Sequence, residues 1–310
     1  DNLTTPSLVV VSGGGDITSA AADATTTTNI DAVTFTAGTG AVLFDTGVSS
    51  FEVLTVASSG GITDTGSVSV TGDTTLTSTG TIDLQTAAND FNSLTILASG
   101  QSVSIDDSNG ITLAAVNVDS LDVTTTGGDI IDTASVITVT GAASLTASGN
   151  DVVLDTAHAF GSTVNASATN VTVNNGAALA LGNVTATNLN VDTSGANGAV
   201  SQTGSTTINV SGNTTINAGS GDISLNENTN DFADVGSSGD ISLTGGSVSL
   251  TDADSLRLNG TINATSISAT ALGGQLDSLQ ALSVTGGNIT LNASEGVFVR
   301  QSVTTTTSGN

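Results

Sequence analysis

Cysteine, methionine, tryptophan, tyrosine and lysine are all absent from this 310-residue chain, and it has one proline and one histidine. Without cysteine, neither a disulfide framework nor a thiolate metal site can form. That suits a secreted bacterial protein crossing the envelope unfolded. Without methionine, the chain is expected to be processed, or a piece of something longer. Aromatic residues amount to 2%, all of them phenylalanine, so a core must be built from Val, Ile, Leu, Ala and a few Phe. These small side chains favour strands. The only basic residues apart from one His are Arg257 and Arg300, which leaves a formal charge of -26. Nucleic acid is thereby excluded as an expected partner, because phosphate binding needs Lys and Arg to displace condensed counterions. Anionic bilayers are disfavoured for the same reason. Solubility and mutual repulsion between neighbouring fibres are the ordinary consequences of such acidity.

Long apolar runs are missing too, which excludes a membrane-spanning helix. The apolar segments are also too short for membrane-barrel strands, so no membrane insertion is expected. Yet the chain is 37% hydrophobic with a mean hydropathy of +0.24, which argues for order.

What is present is a repeat. Ile62-Thr-Asp-Thr-Gly-Ser-Val68-Ser-Val70-Thr-Gly72 recurs as Ile130-Ile-Asp-Thr-Ala-Ser-Val136-Ile-Thr-Val139-Thr-Gly141, and again between Val200 and Gly212. Leu76, Leu145 and Ile216 correspond, and Asn89-Asp-Phe91 returns as His158-Ala-Phe160 and Asn230-Asp-Phe232. The three Phe stand 69 and 72 residues apart. Ile111-Thr-Leu113 returns as Leu179-Ala-Leu181 and Leu256-Arg-Leu258, preceded by Asn109, Asn175 and Asp252. The period divides the chain into a partial copy at 1–59 and copies at 60–128, 129–198 and 199–310, with no linker between them.

Within each copy the apolar residues form alternating triplets such as Val103-Ser-Ile105, bounded by Gly, Asn, Asp, Ser or Thr. Alternation with turn punctuation predicts strands. Two or three inward side chains per strand cannot offset chain entropy alone, but stacked identical units can. The predicted fold is therefore all-β: a single continuous parallel β-helix, or β-solenoid, with each strand paired in parallel to its counterparts above and below. About three coils of roughly 23 residues per period give about 13 coils, a rod of roughly 60 Å at a ~4.8 Å strand spacing.

Gly221-Asp-Ile-Ser-Leu225, Asn230-Asp-Phe232, Thr251-Asp-Ala-Asp-Ser-Leu256 and Leu282-Ser-Val-Thr-Gly-Gly-Asn-Ile-Thr-Leu291 resemble the β-strand repeats of giant bacterial surface proteins. These are similar to filamentous haemagglutinin and autotransporter adhesins. The resemblance covers most of the chain and implies a right-handed parallel β-helix, secretion to the cell surface, and roles in adhesion or biofilm.

Catalytic readings find few residues to stand on. Glycosidases need paired carboxylates and usually aromatic platforms, yet only Glu52, Glu227 and Glu295 accompany the aspartates. Polysaccharide lyase chemistry wants a Lys, Arg or His base near acids, and only Arg257, Arg300 and His158 could serve. His158 reads as a substituted turn residue, too isolated for a triad or a zinc site. Arg257, between Leu256 and Leu258, reads as a solvated charge on the outer face of a strand, paired with Asp254. Calcium is the one cofactor with candidate ligands, because Asp106, Asp107, Asp252 and Asp254 fall at corresponding turns. The Asp-x-Asp-x-Asp-Gly and Gly-Gly-x-Gly-x-Asp loops are both absent. Threonine runs at 25–28 and 304–307 invite an ice-binding reading, but a ladder that orders water should repeat once per coil, and these runs do not.

The expected function is a non-catalytic extracellular fibre or adhesin stalk, partnered with itself end to end or within a longer chain. A discrete subunit polymerising head to tail is the alternative, because nothing in the sequence caps the terminal strand edges. A polysaccharide-active β-helix enzyme is the remaining one.

Overall fold

The computed structural model describes residues 7–19, 32–45, 48–85 and 89–306. The chain forms two units, Asp1–Asp151 and Val152–Asn310. Each is a parallel β-solenoid, as the alternating triplets predict, with about 13 turns in all among the described residues. A single 3-10 turn, Ser194–Ala196, is the one helical element among them. No helix is long and apolar enough to cross a membrane.

In the first unit, the strands Ser7–Ser12, Ala32–Ala37 and Val53–Ser58 pair side by side, and Ser67–Ser78 and Asp90–Asp107 continue the stack. A second stack begins with Ile17–Ser19, Val42–Phe44, Ile62–Asp64 and Ile82–Leu84. Register places like on like: Ile17, Val42, Ile62, Ile82, Val103 and Leu121 form one inward column. Phe35, Val56, Leu76, Ile96, Val116 and Ile137 form another. All twelve side chains are buried. At ~1.5–3 kcal/mol for each large aliphatic group withdrawn from water, a coil gains its stability from the coils on either side of it. Phe35, Phe44 and Phe51 close the early coils in edge-to-face contacts 6.0 to 6.3 Å apart.

The corners need glycine because the backbones nearly touch there. A Cβ on Gly40 would lie 2.3 Å from the Gly15 carbonyl oxygen, and one on Gly60 only 2.7 Å from Gly40. Backbone cannot retreat as a flexible side chain would. Gly40→Val is therefore expected to destabilise the first unit by about 3 kcal/mol or more, by the same route as overpacking a core. A urea melt checks this, and a midpoint within error of the parent would refute the corner packing.

In the second unit, Val152, Val171, Leu189, Thr214 and Ile241 share one column. Val200, Ile223, Val248, Ile267 and Ile289 share another. A separate three-stranded stack joins Leu256–Leu258, Gln275–Ser278 and Gly296–Val299, and places Leu256, Leu276 and Val297 in line. The last described strands expose their inward residues: Val297, Val299 and Val303 are 39%, 42% and 45% accessible. At the other extreme, Leu8 on Ser7–Ser12 is 37% accessible. Interior coils show no such exposure of their inward aliphatic groups.

Candidate functional site

The polar side chains that the sequence offered as chemistry are built into the stacking of coils. Three buried residues, Asp107, Asn175 and Asp252, occupy equivalent places one repeat apart. Each accepts a hydrogen bond from the backbone N–H of a landmark phenylalanine: Phe91 to Asp107 Oδ2 at 2.6 Å, Phe160 to Asn175 Oδ1 at 2.8 Å, Phe232 to Asp252 Oδ2 at 2.7 Å. The second oxygen of each aspartate takes a further N–H, from Asn109 onto Asp107 and from Asp254 onto Asp252, both at 2.9 Å. The repeat alignment placed Asn109 in this series; the residue in the equivalent place is Asp107, two positions earlier. Triplet spacing located the turn, but only the pairing of Phe91 shows which side chain reaches back.

Burial without a cation has an electrostatic consequence. Desolvation pushes the Asp107 carboxyl up to about 6, against the pull of its two N–H donors. Asp252 is pushed up to about 7, by desolvation first and further by its neighbour Asp254. The middle copy meets the same N–H with a neutral amide, whose Nδ2 donates to the Ala178 carbonyl at 2.9 Å.

A second buried series precedes each phenylalanine by two residues: Asn89, His158 and Asn230. Asn89 accepts from Val68 N–H and donates to the Leu84 carbonyl and to Asp64, all at 2.8 Å. Asn230 repeats the pattern, accepting from Ile208 N–H at 2.9 Å and donating to the Leu225 carbonyl and to Gln202. His158 does not sit in a turn as the sequence suggested. It lies within the strand Val152–Phe160, 1% exposed, edge-on to the Phe160 ring at 5.9 Å.

The four calcium candidates do not converge. Asp106 and Asp107 belong to the first unit, Asp252 and Asp254 to the second. Asp107 and Asp252 already hold two backbone N–H groups each. Asp106 has its carboxyl raised by desolvation and by the charges of Asp122, Asp64 and Asp83. Asp254 instead meets Asp231 and Asp234, with one carboxylate oxygen of each within 4.8 Å of the others. Sequence reasoning missed Asp231 and Asp234 because they stand about 20 residues away, on the preceding coil. Within the trio, Ser255 Oγ donates to Asp234 at 2.8 Å and Ser255 N–H to Asp254 at 2.6 Å. Desolvation, then Asp254, raises the carboxyls of Asp231 and Asp234.

The two arginines are also structural. Arg257 points outward as expected, but its guanidinium donates to the carbonyls of Ser237 and Gly239, tying down the neighbouring loop, where the sequence suggested pairing with Asp254. Arg300 grips buried Asp277 through Nε at 2.7 and 2.9 Å and lies over the Phe298 ring at 5.9 Å.

Along the outside, further amides and carboxylates reach from one coil to the next. The side chain of Asp16 accepts from Ala41 N–H, Asn165 from Asn183, Asn183 from Thr207, Asn188 from Asn213 and Asn213 from Asp240, at 2.8 to 2.9 Å. In every case the earlier coil supplies the oxygen and the later coil the N–H. The ladder thus has a direction along the chain.

Three consecutive segments, residues 33–98, 100–167 and 168–239, match the family model described as "Repeats of unknown function" (DUF5649). Together they cover about two thirds of the chain. Each segment has the length read from the phenylalanine landmarks. No curated protein and no solved structure matches.

Proposed function

The chain belongs to the DUF5649 repeat family, and on that premise we propose that it is a non-catalytic structural protein: a fibre or adhesin-stalk segment at the bacterial cell surface, acting in adhesion or biofilm. The observation that carries this reading is the directional ladder of Asn and Asp side chains. The groups that could have served as acids, bases or ligands hold one coil to the next, and the remaining outward surface is acidic, which favours solubility and separation of neighbouring fibres. A cysteine-free chain suits export and needs no oxidative step on arrival.

A second reading, growth of a filament end to end, is favoured by the half-exposed inward residues Val297, Val299 and Val303 at one extreme and Leu8 at the other. Parallel strand edges with uncovered apolar side chains accept another coil, from a longer chain or from a second copy. Electron microscopy and sedimentation of the purified chain at increasing concentration separate the two. A constant sedimentation coefficient supports the stalk segment, whereas concentration-dependent filaments support polymerisation. Incubation with acidic polysaccharides is expected to yield neither new reducing ends nor unsaturated products; turnover would overturn the non-catalytic reading.

A further inference from the structure

Stacking creates one surface in the first unit that no linear motif announces. Thr34, Thr55, Thr75 and Thr95 lie directly beside one another, one from each of four successive coils. Two residues further along the same strands stand Thr36, Ala57, Thr77 and Leu97. Val9 and Val11 extend the two columns by a coil on one side, and Ala115 and Asn117 on the other. All alternate with buried residues such as Val33, Phe35, Leu54, Val56, Leu76 and Ile96, so they face outward.

Three properties set this face apart. It is uncharged at all twelve positions, in a chain with 28 acidic residues. It is regular, because in-register strands set its rows at a ~4.8 Å spacing and its columns at about 7 Å. Its hydroxyls are also open to water: among the described residues, none of the six threonines on it bonds to another protein group. Threonines immediately outside the two columns behave differently, with Thr39 and Thr79 donating to the carbonyls of Gly14 and Ser59.

We propose that this face binds ice. A β-branched side chain is stiff about χ1, so each threonine presents its methyl and hydroxyl in a nearly fixed direction. Water held between methyls and anchored by hydroxyls is then ordered on a rectangular grid close to that of crystalline ice, and no charged group imposes a competing hydration shell. The ladder repeats once per coil, as an ice-ordering surface must. It is hidden from a linear reading because its members are 20 or 21 residues apart. The threonine run at 25–28 lies outside the described residues, and Thr304–Thr306 lie in the last strand of the second unit. A second copy docked face to face is the weaker occupant. A grid about 24 Å by 7 Å falls well short of the ~800 Å² per partner of a stable protein interface.

The test uses the full chain. It is expected to partition into a growing ice front and to arrest recrystallisation of a frozen sucrose film. Thr55→Tyr with Thr75→Tyr should abolish both effects, while Ser249→Tyr, on an outer face of the second unit, should leave them intact. Thermal melts establish that each variant is folded; Thr55→Lys with Thr75→Lys serves if the tyrosine pair is not. Three results would overturn the proposal: exclusion of the parent chain from ice, equal activity in the folded double variant, or a parent dimer that the double variant dissociates.

Discussion

Asn230→Ala is expected to lower the stability of the second unit by about 3 kcal/mol or more. The amide is fully buried and serves three partners from different parts of two coils. Truncation leaves Ile208 N–H and the Leu225 carbonyl without their partner where water does not reach, at about 1–3 kcal/mol for each orphaned group, and adds a small cavity. Asn89→Ala should act equally on the first unit, since Val68 N–H and the Leu84 carbonyl are the corresponding partners. Hydrogen exchange provides the sharper readout: protection should fall first at Ile208 and Val68. Loss of less than about 1 kcal/mol in both variants would mean that these amides do not stitch coils together.

The second large effect is a dependence on pH. Asp107 and Asp252 have folded-state values of about 6 and about 7, against an ordinary value of 3.8. A carboxyl whose value is raised by folding binds its proton more tightly in the folded state. The chain should therefore gain stability as pH falls from about 7.5 towards 4, and lose it as pH rises through 6 to 7. Asn175 shows that a neutral amide fits the place. Asp107→Asn with Asp252→Asn is accordingly expected to raise the melting temperature at pH 8, by on the order of 1–2 kcal/mol for each site, and to flatten the profile between pH 8 and 5. Calorimetry over that range checks it. A double variant that keeps the full pH slope of the parent would move the origin of that slope elsewhere.

Much of the fold was legible because a solenoid writes the same instruction many times. Val103-Ser-Ile105 and its relatives alternate with a period of two, and the structure stacks them as strands. What escaped the sequence follows from neighbours one coil apart. The step between coils is uneven: successive members of the Val152, Val171, Leu189, Thr214, Ile241 column are separated by 18 to 27 residues. No fixed offset therefore brings Asp231 and Asp234 to Asp254, or Thr34 to Thr95. Punctuation misled as well. Ser, Asn and Gly within Asp90–Asp107 read as turn residues, yet pairing on both sides carries the strand through them for 18 residues. His158 read as a solvated turn because asparagine fills the slot in the other copies, whereas those asparagines are themselves buried and bonded.

The central claim is that coils stack in the register described, with side chains devoted to that stacking. A cysteine-free chain permits a direct measurement. Ser249 and Ser268 are register partners on adjacent coils and face outward. With both changed to cysteine, neighbouring strands bring them within the reach of a disulfide, whereas Ser249→Cys with Ser266→Cys places the thiols two residues out of step. Mild oxidation of the folded chain is predicted to cross-link the first pair rapidly and the second little. Equal cross-linking of both pairs, or preference for the offset pair, would contradict the stacked register on which the account rests.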